Sequence, residues 1–391
     1  MRRLRTWRRL MVVGTCTAAA AALASAPAGA DGRRNGDGRE GRESGRSSTL
    51  AVYGDSPYGT SNADTAQFNA TPAFIDTVNA DPDVSRVMQV GDIHSGKQFC
   101  TQAYDQSIFD AWTRFDDPLV YTPGDNEWTD CHKAAEGGGD PADFALGDPV
   151  ANLGLVRSMF FAHPGLTLGA HPAFVLSQKF AYDRRYPSDA KYVENVIWAQ
   201  SGAIFVTINL PGGSNNDQDV WFGAATETPA QTQERVERTA ADLRWLDTAF
   251  FLARFAHAKG VVIDAQADMW DPEKGAAHQT GYEPFVQAVA GHTTDFGGPV
   301  LMFNGDSHVY RSDNPLVAGA PCTTETGACA GDDYAIHPNG YNVANFHRVV
   351  VHGSTAPMEW LKLTVDPSTN APNGPTSFGP FSWTRQIQAL P

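Results

Sequence analysis

Residues 120–131 read VYTPGDNEWTDC. An apolar run, Pro118 to Tyr121, passes straight into Pro-Gly-Asp-Asn-Glu. Asp and Gly suit tight turns, so one such junction is ordinary. The construction recurs, however. LAVYGD ends in Gly54-Asp55, RVMQVGD in Gly91-Asp92 and VLMFNGD in Gly305-Asp306. Strand-like runs thus end in Gly-Asp at four places, either as separate solvated turns or as the walls of one site.

The segments between these runs separate the two readings. Residues 66–79 read as helical, interrupted around Pro72, and residues 104–115 carry apolar side chains at helical spacing. AIFVTINLPGG (203–213) is a strand ending in a Gly-rich loop. Thr228-Pro229 opens the clearest helix, whose apolar face holds Leu243, Leu246 and Phe250 and whose end is Gly260. GVVIDAQAD (260–268) and PVLMFNGDSHVY (299–310) are buried strands; FHRVVVHG and WLKLTVDP read as late antiparallel strands. Alternating strands and helices predict a layered α/β fold with neighbouring strands parallel. Functional groups in such sheets gather beyond the carboxyl ends of the strands, where every Gly-Asp pair sits.

Adjacent strands would bring Asp55, Asp92, Asp125 and Asp306 together. Crowded carboxylates repel and raise one another's pKa, and a divalent cation relieves this. His308, two residues after Asp306 on a strand-like backbone, projects the same way. Oxygen donors suit Mg, Mn or Ca; an imidazole adds Zn, Fe and Mn.

In this order, Gly54-Asp55, Gly91-Asp92, Gly124-Asp125-Asn126-Glu127 and Gly305-Asp306-Ser307-His308, the chain resembles the calcineurin-like metallophosphoesterases over roughly residues 50–310, with Trp245-Leu246 before the fourth motif. The resemblance implies a four-layer α-β-β-α sandwich and two divalent metal ions. It further implies a metal-bound hydroxide that attacks the phosphorus of a small phosphoester. Carried over position by position, Asp55, Asp92, Asp125, Gln266, Asp306 and His308 are the implied metal ligands. Asp92 and His94 belong to the catalytic set, and Asn126 stands where the family has its catalytic His. Several positions depart from the pattern. Pro57 follows the first motif where a His is usual, and His94 falls one short of the position held by Ser95. Asp125 replaces an Asn, Gln266 or Asp268 occupies a His position, and Asp306 replaces the first His of the last motif. Asn126 can hydrogen-bond a phosphoryl oxygen but cannot act as a general acid. Lys97, Arg311 and Asn209 are candidate substrate contacts, each equally explained as a surface cation or turn residue. Glu127 and Asp130 are candidate supporting contacts, and Trp128 and Trp270 read chiefly as packing.

The start of the chain has another character. MRRLRTWRRL followed by an Ala-rich apolar run and Ala28-Gly29-Ala30 reads as a signal peptide over residues 1–30, too short for a stable membrane anchor. Residues 31–48, Gly- and charge-rich, read as a disordered tether, leaving one metallophosphoesterase-like domain over 49–391. Residues 1–48 hold ten of the 29 Lys and Arg and four of the 44 Asp and Glu, so 19 basic and 40 acidic side chains remain, a formal charge of −21. That charge argues against a nucleic-acid-binding surface. Export also fits the cysteines: Cys100, Cys131, Cys322 and Cys329 suggest two disulfides, with Cys322–Cys329 closing a short loop and Cys100–Cys131 stapling two Gly-Asp turns.

Two other functions fit parts of the sequence. Gly54-Asp55-Ser56 suits a GDS-type serine esterase, although Asp306-Ser307-His308 has the wrong spacing for its partners. The missing histidines suit a phosphoesterase scaffold kept for binding.

Overall fold

The computed structural model describes residues 45–355 and 357–388. The expected signal peptide and residues 31–44 of the expected tether lie outside the described residues. Strands are numbered along the chain. One mixed sheet has the order β14 (Ala371–Gly374), β15 (Ser377–Gly379), β16 (Phe381–Gln388), β13 (Met358–Val365), β1 (Ser48–Tyr53), β2 (Val84–Gln89), β3 (Leu119–Tyr121). The other runs β11 (Gly327–Ala328), β10 (Thr323–Thr324), β9 (Arg311–Asp313), β12 (Phe346–Val350), β8 (Val300–Asn304), β7 (Gly260–Asp264), β6 (Ala203–Thr207), β5 (Val196–Gln200), β4 (Leu176–Ser177). The strands that carry the motifs are parallel neighbours: β1 with β2 and β2 with β3, then β6 with β7 and β7 with β8.

Strand periodicity sorts the side chains. Val261 and Ile263 join one apolar cluster while Val262 joins another, because successive residues project to opposite faces. Both faces are covered, so the strands read as continuous apolar runs. One cluster takes Val52, Val90 and Val120 from the first sheet and Phe205, Val262 and Phe303 from the second. A second packs Ile263 and Met302 against Trp245 and Phe250 of α4 (Pro229–Phe255) and Phe285 of α5 (Glu283–Phe296). A third packs Tyr53 and Tyr121 against α1 (Ala66–Asn79), α2 (Gln102–Trp112) and α3 (Pro149–Phe160). The Thr228 side chain caps α4 by accepting from the Gln231 amide, and Pro229 occupies its first turn.

Two expectations change. Helix α1 runs unbroken through Pro72. Losing one backbone hydrogen bond costs about 3 kcal/mol, while burying Phe74, Ile75 and Val78 on the sheet returns about 1.5–3 kcal/mol each. FHRVVV is not purely antiparallel: β12 lies parallel to β8 and antiparallel to β9. The long excursion after β8 supplies the crossover that a parallel partner needs. Strand β13 does lie antiparallel to β1.

Both expected disulfide pairs are present. Cys100–Cys131 joins the loop after β2 to the loop after β3, and by loop closure over 31 residues it contributes about 3–4 kcal/mol. Among the described residues, no helix is long and apolar enough to cross a membrane.

Candidate functional site

The carboxyl ends of β1, β2, β3, β7 and β8 meet where the two sheets adjoin. Backbone bonds knit the strand ends together, among them Asp55 N to Gly91 O, Gly305 N to Gln266 O and Ser354 N to Asp55 O. Asp306 N donates to Asp55 Oδ1 at 3.1 Å, a contact that crosses from one sheet to the other. The four Gly-Asp pairs therefore form one site.

The glycines explain how four carboxylates fit. A Cβ added at Gly124 would lie 1.9 Å from Asp92 Oδ1, and one at Gly305 would lie 2.2 Å from Asp55 Oδ2. Each of these glycines makes room for the Asp of another motif. Gly212, in the loop after β6, leaves space between Asp125 and Asp306: a Cβ there would lie 2.2 Å from Asp125 Oδ2 and 3.1 Å from Asp306 Oδ1. Asp55, Asp92, Asp306 and His308 all have left-handed backbone, with φ of 47°, 58°, 72° and 65°. Such strain in non-glycine residues clusters at functional sites.

Hydrogen bonds hold the carboxylates in place. Asp92 Oδ2 accepts from Tyr58 Oη at 2.6 Å, Asn126 Nδ2 at 3.1 Å and Gln266 Nε2 at 3.1 Å. Gln266 Nε2 also donates to Asp125 Oδ1 at 2.9 Å, and its Oε1 accepts from Gly212 N. Gln266 thus bridges Asp92 and Asp125 as a donor. Glu127 accepts from Tyr121 Oη and from Gly124 N. Asp268 accepts from Ser307 Oγ and is paired with buried Arg348, while its amide donates to Asp306 Oδ2.

No Lys or Arg lies within ion-pair distance of Asp55, Asp92, Asp125, Glu127 or Asp306 among the described residues; His308 Nε2 stands 3.6 Å from Asp55 Oδ1. Burial raises the pKa of every one of these carboxyls. Asp55 is pushed up to about 7 and Asp125 to about 8. Asp92 and Asp306 are raised well above the usual range, first by burial and then by Asp125. An unpaired buried charge costs several kcal/mol, so the site must hold either protons or cations. The donor set fits a cation. Asp55 Oδ2 is buried with no hydrogen-bond partner, and ligand atoms of Asp55, Asp92 and His308 lie within 4.8 Å of one another.

A pH dependence follows for metal-free protein. An unfolded carboxyl titrates near 4 and an unfolded His near 6.5. Burial lowers His94 and His308 to about 4, so they add stability as pH rises to about 6.5 and none beyond it. From about pH 6.5 to 8 the folded site still binds protons that the unfolded chain has released. Stability should therefore fall as pH rises across that window. Denaturant midpoints of chelator-treated protein between pH 6.5 and 8.5 test this, and a flat or rising profile contradicts it.

The remaining candidates are placed as follows. Asn126 spends its amide on Tyr58 Oη, Asp92 Oδ2 and His94 O. His94 is fully buried against Cys100 and Tyr104, apart from the carboxylate group. None of the three expected substrate contacts lines the cleft described below. Lys97 is exposed. Arg311 is buried and paired with Asp333. Asn209 is buried and holds Glu194. Trp128 and Trp270 are fully buried, each near a buried Arg, as packing residues. Ser56 Oγ has no hydrogen-bond partner, so no histidine is poised to take its proton.

Sequence reading missed Tyr58 and the cleft wall. A polar cleft borders Asp125 and Asp306 and is also lined by Asp130, Lys133, Asp219, Lys274, His278 and Tyr282. Lys133 pairs there with Asp130 and Asp219. Tyr58 stands three residues after Asp55, the one local signal that could have drawn notice. Lys274 and His278 follow the fourth motif by several residues and carry no pattern.

No family model matches the chain, and no curated protein matches it. Solved structures give distant likenesses. A purple acid phosphatase from yellow lupin (Lupinus luteus) seeds has 12% identity and a TM-score of 0.40 over 88% of this chain and 53% of its own. A candidate 5'-nucleotidase from Staphylococcus aureus has 11% identity and a TM-score of 0.38 over 88% and 54%. A branch 10 nitrilase-superfamily protein from Saccharomyces cerevisiae has 10% identity and a TM-score of 0.28 over 87% and 90%. The chain spans about half the length of the first two.

Proposed function

We propose that this chain is a divalent-cation-dependent phosphoester hydrolase of the calcineurin-like metallophosphoesterase type, built as four layers α-β-β-α. The observation that carries this reading is the convergence of buried Asp55, Asp92 and Asp125 with half-buried Asp306 at the carboxyl ends of both sheets, none with a Lys or Arg partner among the described residues. The three apolar clusters, one between the sheets and one under each group of helices, support the layered arrangement.

Asp55, Asp92 and His308 would hold one cation, and Asp125 and Asp306 a second. When bound, divalent cations supply Lewis acidity toward a phosphoryl oxygen and offset the carboxylate charge. The chain itself does the rest. Tyr58, Asn126 and Gln266 fix the Asp92 carboxylate, and Gln266 ties it to Asp125. Lys274 gives the cleft a cationic group for an anionic ester. Export from the cytoplasm is part of the proposal, supported by the two disulfides.

Metal content and turnover test it together. Protein reconstituted with Mn, Fe, Zn, Mg or Ca should retain cation stoichiometrically and hydrolyse p-nitrophenyl phosphate or its bis ester, with activity lost on chelation and restored by metal. A chain that retains no cation under any of these conditions overturns the reading. One observation favours a binding protein instead: the Asn126 amide is already committed to three partners. Retained cation with no turnover on any phosphoester selects that alternative.

A further inference from the structure

We propose that His278 is the proton donor to the leaving group, an assignment that rests on the phosphoester hydrolase reading. The motif position that would supply an acid holds Asn126, and an amide has no proton to give near neutral pH. An alcohol leaving group needs one. The donor must face the cleft that borders Asp125 and Asp306.

Four other proton donors near the site are set apart by their surroundings. His94 is fully enclosed beside Cys100. His308 is turned toward Asp55, on the carboxylate side. Lys133 is half-buried, which would lower its pKa, yet Asp130 and Asp219 hold its ammonium and push the pKa up. Tyr282 donates its hydroxyl to Pro211 O. His278 differs from all four. It sits on a short turn, Ala276–His278, in the loop between β7 and α5, half-buried in the cleft wall. The backbone amide of His278 donates to Gly275 O, while no hydrogen bond within the described residues engages its ring. An imidazole is the side chain best suited to proton transfer near neutrality.

The step balances as follows. The bond from phosphorus to the leaving oxygen breaks, and its electron pair goes to that oxygen. The imidazolium N–H proton of His278 passes to the same oxygen, and the alcohol departs. A water oxygen forms the new bond to phosphorus. Its surplus proton leaves to solvent at the cleft mouth, and the imidazole regains a proton from solvent.

A leaving-group series tests the assignment. Metal-reconstituted wild type and His278→Gln are compared on dinitrophenyl, p-nitrophenyl, phenyl and glycerol phosphates. A dinitrophenolate leaves without a proton, so kcat/KM there should stay within about threefold of wild type, whereas phenyl and glycerol phosphates should lose about 100- to 1000-fold. Equal losses along the series, or none, overturn the role of His278 while leaving the hydrolase reading intact. A wild type inactive on every ester overturns both. Metal content and melting temperature of the variant must match wild type; should His278→Gln fail to fold, His278→Asn is put through the same series.

Discussion

Asp92→Asn should reduce cation-dependent phosphoester turnover at least about a thousandfold, because several kcal/mol of charge stabilisation depends on this carboxylate. Metal content should fall with it. Asp92 occupies the middle of the site. Its Oδ2 gathers the Tyr58, Asn126 and Gln266 side chains, and its Oδ1 accepts from the backbone N–H of Asn126. The substitution removes one buried charge from a group of uncompensated carboxylates, which favours folding. It also places an NH2 against one of these donors, and an unsatisfied donor costs about 1–3 kcal/mol. The two effects oppose, so the metal-free variant should stay folded, within about 2 kcal/mol of wild type. Turnover and metal content equal to wild type would remove Asp92 from the centre.

Gly124→Ala should cost both stability and metal, while Gly212→Ala should cost metal alone. The new Cβ at residue 124 would fall 1.9 Å from Asp92 Oδ1 and 2.5 Å from the Asp92 backbone nitrogen. Side-chain rotation cannot relieve a backbone clash, and overpacking of this kind costs about 1–3 kcal/mol. For a chain of this size, that lowers the melting temperature by several degrees. At residue 212 the nearest atoms are the carboxylate oxygens of Asp125 and Asp306, at the ends of side chains. These can swing away at little cost to folding, but they then leave the positions that would hold a cation. Melting curves and metal content of the two variants separate the effects. Metal retention equal to wild type in both variants would mean that the spacing of the carboxylates is immaterial to binding.

The sequence by itself determined the elements of the site. Four apolar runs ending in Gly-Asp place four carboxylates at strand ends, because the period of two and the β-branched content are local properties. The alternation with helices determined that neighbouring motif strands run parallel. The cysteine count anticipated both disulfides for a similar reason: Cys100 and Cys131 follow two of the turns that the sheet brings together.

Only the tertiary structure decided what surrounds those carboxylates. Lys97, Arg311 and Asn209 are neighbours of the motifs in sequence, yet one is exposed and the other two are consumed by Asp333 and Glu194. Proximity along the chain does not set the direction in which a loop side chain points. The cleft draws its wall from Lys133, Asp219, Lys274 and His278, on three separate loops after β3, β6 and β7. The glycines show the same limit. In the sequence, Gly124 and Gly305 are known only as the residues before two motif carboxylates, whereas the space a side chain would fill there belongs to Asp92 and Asp55. Such contacts are set by sheet register and by packing between segments as far apart as residues 55 and 306, and no local periodicity records them.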